Sequence, residues 1–362
     1  MLYREAGQFK TTYAADMAMF PIRQDRIALF ALLVFAFIGV PLLAGFQIWP
    51  LGSDYLLRAI LIPFLILSLA AVGLNILVGY CGQISLGTGA FMAVGAYAAW
   101  NFGVRFPGMP LLVQLLLGGC FATLVGVLFG IPSLRIRGLY LAVATLAAQF
   151  FVDWAFLRIP FFTNYSSSGS VSVPSLSVLG MPVQTSLQRY LFVLAIVVVF
   201  ALLAKNLVRG AIGRQWMAIR DMDVAASVIG IRPVYAKLTA FAVSSFIIGV
   251  AGALWAYIHL GSWEPLAFDL NRSLQLLFIV IIGGLGSIVG SFFGAAFMVL
   301  VPVLLTNVPH MFGMSLAVDT ASHIEHMVFG SLIVFFLIVE PHGLARLWSI
   351  GKEKLRIWPF PH

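Results

Sequence analysis

The residues able to do chemistry are few in this chain. His323, Glu325 and His326 place two imidazoles at i and i+3 with a carboxylate between them. Such a pair shares a helix face and could fill two positions around a metal ion, but the H-E-x-x-H spacing of zinc hydrolases is missing and no third ligand is suggested. Asp153 lies toward one end of an apolar run, and the histidine pair stands at the start of another. An ionisable group inside a membrane is costly and functional by default, yet positions near the ends of spans fit interfacial solvation better than ion coupling. Cys81 and Cys120 have apolar or glycine-rich neighbours and no C-x-x-C spacing, so they read as small buried hydrophobes rather than a disulfide or zinc site. The run Gly283 to Gly290, GGLGSIVG, has the glycines of a dinucleotide loop, but it follows an apolar span where that loop would follow a strand. No G-x4-G-K-[ST] phosphate loop occurs. No catalytic residue, metal ligand or cofactor site is expected in this chain.

The composition explains the scarcity. Of 362 residues, 61% are hydrophobic and 9% charged, and the mean hydropathy is +1.03. Soluble domains carry charge on about a quarter of their residues, so this chain lacks the polar surface to cover a globule in water. It is expected to be an all-α polytopic membrane protein. The net charge of +8 is spread between apolar runs rather than clustered with aromatic residues on a soluble face, which argues against nucleic acid and for membrane topology. The N-terminal stretch is too long and too acidic before its first apolar run for a cleavable signal peptide, and is expected to be retained.

A spanning helix needs about 20 apolar residues. Ten candidate spans follow: Ile27–Ile48, Leu56–Gly79, Ile84–Asn101, Leu111–Ile131, Gly138–Arg158, Tyr190–Leu207, Tyr235–His259, Ser273–Ile282, Ser287–Val303 and Ile324–Glu340. The third and eighth abut glycine-rich breaks and could be re-entrant. With the N-terminus inside, Arg4, Lys10, Arg23, Arg26, Arg135, Arg137, Lys205, Arg209, Arg214, Arg220, Arg232, Lys237, Arg346, Lys352, Lys354 and Arg356 fall on the inner side. Only Arg58, Arg105, Arg158, Arg189 and Arg272 fall outside. That bias sets both termini in the cytoplasm by the positive-inside rule. The uncharged stretch Thr163 to Ser186 then lies outside. The chain divides into a cytoplasmic segment 1–26, a membrane domain 27–341 and a cytoplasmic tail 342–362.

Two features remain to carry function. The first is glycine-rich interruption of apolar helices, at Gly82, Gln83, Ser85, Gly87 and Gly89, and again at Gly283, Gly284 and Gly286. Irregular backbone at membrane depth is tolerated only where protein buries it or where it lines a watery cavity, so these residues are either pathway or close helix packing. The second is Gly213 to Ile231, GRQWMAIRDMDVAASVIGI, which sets Arg214, Arg220, Asp221 and Asp223 within ten residues. So many charges do not fit a crossing helix. Trp216, Met217, Ile219, Ala225, Val228 and Ile229 suit a short amphipathic helix on the inner surface, closed by Gly230. Its Asp and Ala content differs from the basic, bulky make-up of a lipid-bound helix, and Ala225 and Ala226 would let a partner protein approach closely.

Ala225-Ala226 to Gly230 resembles the "EAA" coupling loop of ABC importer permeases, with Val224 standing where the general pattern has glutamate. Five segments in order resemble the LivM-type permease of branched-chain amino acid importers: GLNILVGYCGQISLGTGAFMAVGAYA, RGLYLAVATLAAQF, GRQWMAIRDMDVAASVIGIRPVYAKLTAFAVSSFIIGVAGAL, IIGGLGSIVGSFFGA and EPHGL. Relatives of that family also carry urea, amides and small organic acids. Where many members have a Thr-Gly-Gly-rich turn, this chain has Thr163-Asn164-Tyr165-Ser166, a departure that bears on the solute. The resemblance implies a bacterial inner-membrane, pore-forming subunit. It implies as partners a second, LivH-type permease, two cytoplasmic ATPases that hold ATP and Mg, a periplasmic or lipoprotein solute-binding protein, and membrane lipid. It further implies that Arg220, Asp221, Asp223, Ala225, Ala226 and Gly230 form the ATPase-coupling segment. An ATP-independent channel or ion-coupled carrier is the rival reading.

Overall fold

The computed structural model describes residues 11–12, 19–20, 23–45, 53–133, 139–166, 169–173, 177–178, 181–311, 318–339 and 343–357. Most of the segment 1–26, the basic residues Arg4, Lys10, Arg135 and Arg137, and the Glu340-Pro341-His342 part of the terminal motif lie outside the described residues.

The chain is a helical membrane bundle. Its elements are α1 (Asp25–Ala44), α2 (Leu56–Tyr80), α3 (Thr88–Arg105), α4 (Leu111–Ser133), α5 (Leu139–Arg158), α6 (Ser186–Arg209), α7 (Ala211–Val228), α8 (Pro233–Leu260), α9 (Leu270–Gly283), α10 (Ile288–Met311), α11 (Val318–Val339) and α12 (Gly343–Ile357). Among the described residues eight helices are long and apolar enough to cross a bilayer. Helix underlies most of the described part of each of the ten expected spans. The two that fall outside the eight are α3 and α11, and the side chains of His323, Glu325 and His326 on α11 lie outside the described residues.

Burial separates core helices from lipid-facing ones. The apolar windows of α2 and α8 are 89% and 83% buried, whereas that of α1 is 6% buried within the chain. Around α8 pack α2, α3 and α4. Small residues permit this approach: a side chain on Gly249 would meet Ala122, and one on Gly95 would run into the Gly249 backbone. Van der Waals contact between close backbones is the available adhesion where lipid is as apolar as leucine. At the end opposite α7, Val171–Ser172 pairs antiparallel with Ser262–Trp263 and ties the loop after α5 to the end of α8.

Two helices are interrupted. The second span ends in a π-helical turn, Ile76–Tyr80, and residues 81 to 87 carry no helix before α3 starts at Thr88. Likewise α8 ends in a π-helical turn, Trp255–Leu260, after which the chain passes through a 3-10 turn, Pro265–Phe268, into α9. The third expected span therefore begins four residues late, and the eighth is a 14-residue helix lengthened by the turn before it. Gly82 takes a left-handed φ of +73° that breaks the helical run, while Cys81, Gln83 and Ser85 are buried in this segment.

Candidate functional site

The surface helix α7 is built much as its sequence requires, with one division. Trp216 is fully buried and its Nε1 donates to Thr239 Oγ1 at 3.1 Å, pinning α7 to α8. Ile219 and Ala226 are buried beside it. At Met222 the backbone leaves the helix, with φ −161° and ψ 98°, between the acidic residues Asp221 and Asp223. The kink splits the expected apolar face: Val228 and Ile229 are 81% and 75% exposed. It also separates the two alanines. Ala225 is exposed while Ala226 is buried within the chain, so the expected seating of Ala226 against a partner is corrected by its inward packing.

The helix closes at Gly230 as expected. Ile231 N donates to Ala226 O and Gly230 N to Ser227 O, the paired bonds of a Schellman end. Gly230 has φ +90° and open space around it, so conformation alone demands glycine there.

Arg220 joins α7 to both glycine-rich breaks. Its Nη1 donates to Gly79 O at 2.9 Å, and its Nη2 lies 2.9 Å from Asp221 Oδ1. The side chain crosses over Gly82, where a Cβ would stand 2.9 Å from Arg220 Cγ and where φ is +73°. Gly286 lies on the other side, its would-be Cβ 3.3 Å from Arg220 Nη1. Asn75 fastens the same point from within α2. Its Oδ1 accepts from Gly286 N at 2.9 Å, while its Nδ2 donates to Ser287 O at 2.8 Å, Ser291 Oγ at 3.0 Å and Gly284 O at 3.3 Å. Gly283 backs onto Gly290 of α10. Asp221 is exposed, and Asp223 Oδ2 stands 3.9 Å from Lys237 Nζ. Arg220 is thus a charged side chain of α7 that reaches the interrupted span.

A second junction lies deeper. Leu86 N donates to Thr145 Oγ1 at 2.9 Å, and Gly87 N approaches Ser85 Oγ at 3.4 Å. The start of α3 donates Gly89 N to Ser273 Oγ at 2.7 Å and Ala90 N to Gln149 Oε1 at 2.6 Å. Gln149 Nε2 in turn donates to Phe268 O at 2.9 Å and to Asp153. Gln149 is ten residues into α5, about 15 Å along it, so the N-terminal ends of α3 and α9 meet about halfway along that helix. The first N–H groups of α3 are taken up by Ser273 and Gln149, and the positive dipole end of the helix faces the same junction. Gln83 and Ser85 are buried in the connecting segment, and Gln83 Oε1 and Thr88 Oγ1 have no hydrogen-bond partner.

The structure thus brings Gly82, Gly286 and Arg220 together, and Gly87 and Gly89 together with α5 and α9. Sequence reasoning passed over Asn75, Thr145, Gln149 and Ser273. All four are uncharged polar residues inside apolar segments, which is the signal that could have found them. Arg272 is the third residue of α9, next to Ser273 at this junction and within the apolar stretch Pro265–Gly283.

Comparison with known proteins agrees with this geometry. Residues 56–337 match the family described as the branched-chain amino acid transport system permease component. The chain is 29% identical over 298 residues to the high-affinity branched-chain amino acid transport system permease protein LivM of Salmonella typhimurium, and equally to that of Escherichia coli K12. Each alignment covers 75% of this chain and 66% of the relative, so the chain spans somewhat less than two thirds of their length. No solved structure matches. The match over most of the chain, the membrane-crossing helices and the two interrupted spans place it: this chain belongs to the permease component family of branched-chain amino acid transport systems.

Proposed function

We propose that this chain is one of two pore-forming subunits of an ATP-driven importer of small organic solutes, with branched-chain or other hydrophobic amino acids as the first class to test. The other pore subunit is a LivH-type permease, two cytoplasmic ATPases bind ATP and Mg, and an external solute-binding protein delivers the cargo. The protein lies in the bacterial inner membrane with both termini and α7 in the cytoplasm. The observation that carries the reading is Arg220, which connects an exposed surface helix to the carbonyl of Gly79 at the interruption of a buried span. Beyond the kink, Met222, Val224, Val228 and Ile229 are large apolar side chains exposed on that helix, and such a patch on a charged surface favours a protein partner. ATPase closure would press on this patch, and Arg220 would pass the displacement to the segments at Gly82 and Gly286.

Co-purification tests it. The importer with Ala225→Trp or Val228→Asp is expected to keep the permease in the membrane and to lose the ATPases and uptake. Undiminished association and uptake in both variants would remove the coupling role of α7. Urea, amides or organic acids as cargo would leave the importer reading standing and change the solute.

A further inference from the structure

We propose that Arg272 is the residue that binds the carboxylate of the transported solute, with Trp255 as its partner. This rests on the importer reading above. Arg272 lies in the apolar segment Pro265–Gly283, next to exposed Asn271 and one turn before half-buried Gln275. A guanidinium does not face hydrocarbon in such a segment, so its face of α9 borders a polar path.

The side chain is held ready. Its guanidinium sits over the Trp255 ring, 4.5 Å from the centroid, and Nη1 donates to Gln275 Oε1 at 2.5 Å. Trp255 itself packs against His259, with centroids 4.3 Å apart and the rings inclined at 46°. The carboxylate charge that acts on Arg272, that of Asp269, stands beyond ion-pair reach. Among the described residues Arg272 has no ion pair, although Asp269 is three residues away. The Asp269 carboxylate is used instead by Arg272 N at 3.2 Å and Asn271 Nδ2 at 2.8 Å. Two buried donors of the cluster, Arg272 Nε and Trp255 Nε1, lack any acceptor. A buried cation and unsatisfied N–H groups are costly unless something supplies negative charge and acceptor oxygens. A solute carboxylate supplies both, and Arg offers it a planar fork. The neighbouring start of α9 adds a favourable dipole.

The test uses the complete importer with its binding protein in proteoliposomes, radiolabelled leucine as probe, and both uptake and ATPase rate as readouts. Arg272→Gln is expected to lower leucine uptake about tenfold or more while ATPase stimulation stays within about twofold of wild type. Arg272→Lys, which keeps the charge, is expected to recover part of the uptake. Trp255→Phe, which keeps the ring but removes the N–H, is expected to lower uptake about threefold. A general structural role would lower uptake and ATPase together. Uptake by Arg272→Gln within about twofold of wild type overturns the proposal. So does an Arg272→Gln complex that fails to assemble while Trp255→Phe transports normally, since the counter-ion then belongs to a partner subunit. A wild-type complex that imports urea or an amide but no carboxylate overturns the assignment of solute class instead.

Discussion

Arg220 and Gly79 are 141 residues apart in sequence and joined by a 2.9 Å hydrogen bond from guanidinium to carbonyl. The bond links a helix on the surface to the last turn of a buried span. Because the acceptor is a backbone carbonyl, it reports the position of the chain itself rather than of a side chain that could rotate away.

Arg220→Gln is therefore expected to lower uptake about tenfold while membrane insertion and ATPase binding persist. Uptake and ATPase rates measured on the reconstituted complex check this, and proportional loss of both rates would point to misfolding rather than uncoupling.

Gly82→Ala meets two obstacles. The left-handed φ of +73° costs a side chain about 1–2 kcal/mol, and the Cβ would crowd Arg220 Cγ at 2.9 Å. The expected outcome is a lower unfolding temperature and reduced transport, whereas Gly108→Ala, with φ +92° but open space, is expected to cost stability alone.

Asn75→Leu keeps the volume and deletes four hydrogen bonds at the Gly284–Ser291 segment. A loss of about 1–3 kcal/mol follows from the stranded backbone groups. Thermal unfolding in detergent measures it, and an unchanged midpoint would show that water replaces the amide.

Topology is checked by impermeant thiol labelling of intact cells. Gln184→Cys, exposed in the loop before α6, is expected to react from outside, and Ser227→Cys, exposed on α7, only after permeabilisation. Reversal of the two patterns would invert the orientation.

Cys81 gives a pH test. Burial pushes its thiol up to about 12 from 9.0, against a smaller lowering by Lys237. A folded pKa above the unfolded one means this contribution is intact below pH 9 and is lost as pH rises toward 12. Stability in alkali should fall less in Cys81→Ala than in the parent, and Cys81 should resist maleimide until the protein unfolds.

Much was legible in the sequence because it concerned composition and local pattern. The apolar runs fixed a polytopic helical protein, since only helices satisfy their own backbone in lipid. The charges of 214–223 told against a crossing helix, and Gly230 marked the end of α7 because an αL position favours glycine. Tertiary structure decided what single segments cannot encode. Ala226 points inward and Ala225 outward because the Met222 kink, not the helical period, sets the face. Gly82 and Gly286 flank Arg220 because two breaks some 200 residues apart fold against one side chain. Arg272 lies at the start of α9, where that helix meets α3 and α5 because Gln149 and Ser273 receive the first N–H groups of α3. Periodicity locates helices and their ends, but the depth at which an interrupted helix begins depends on which distant polar side chains can satisfy its backbone.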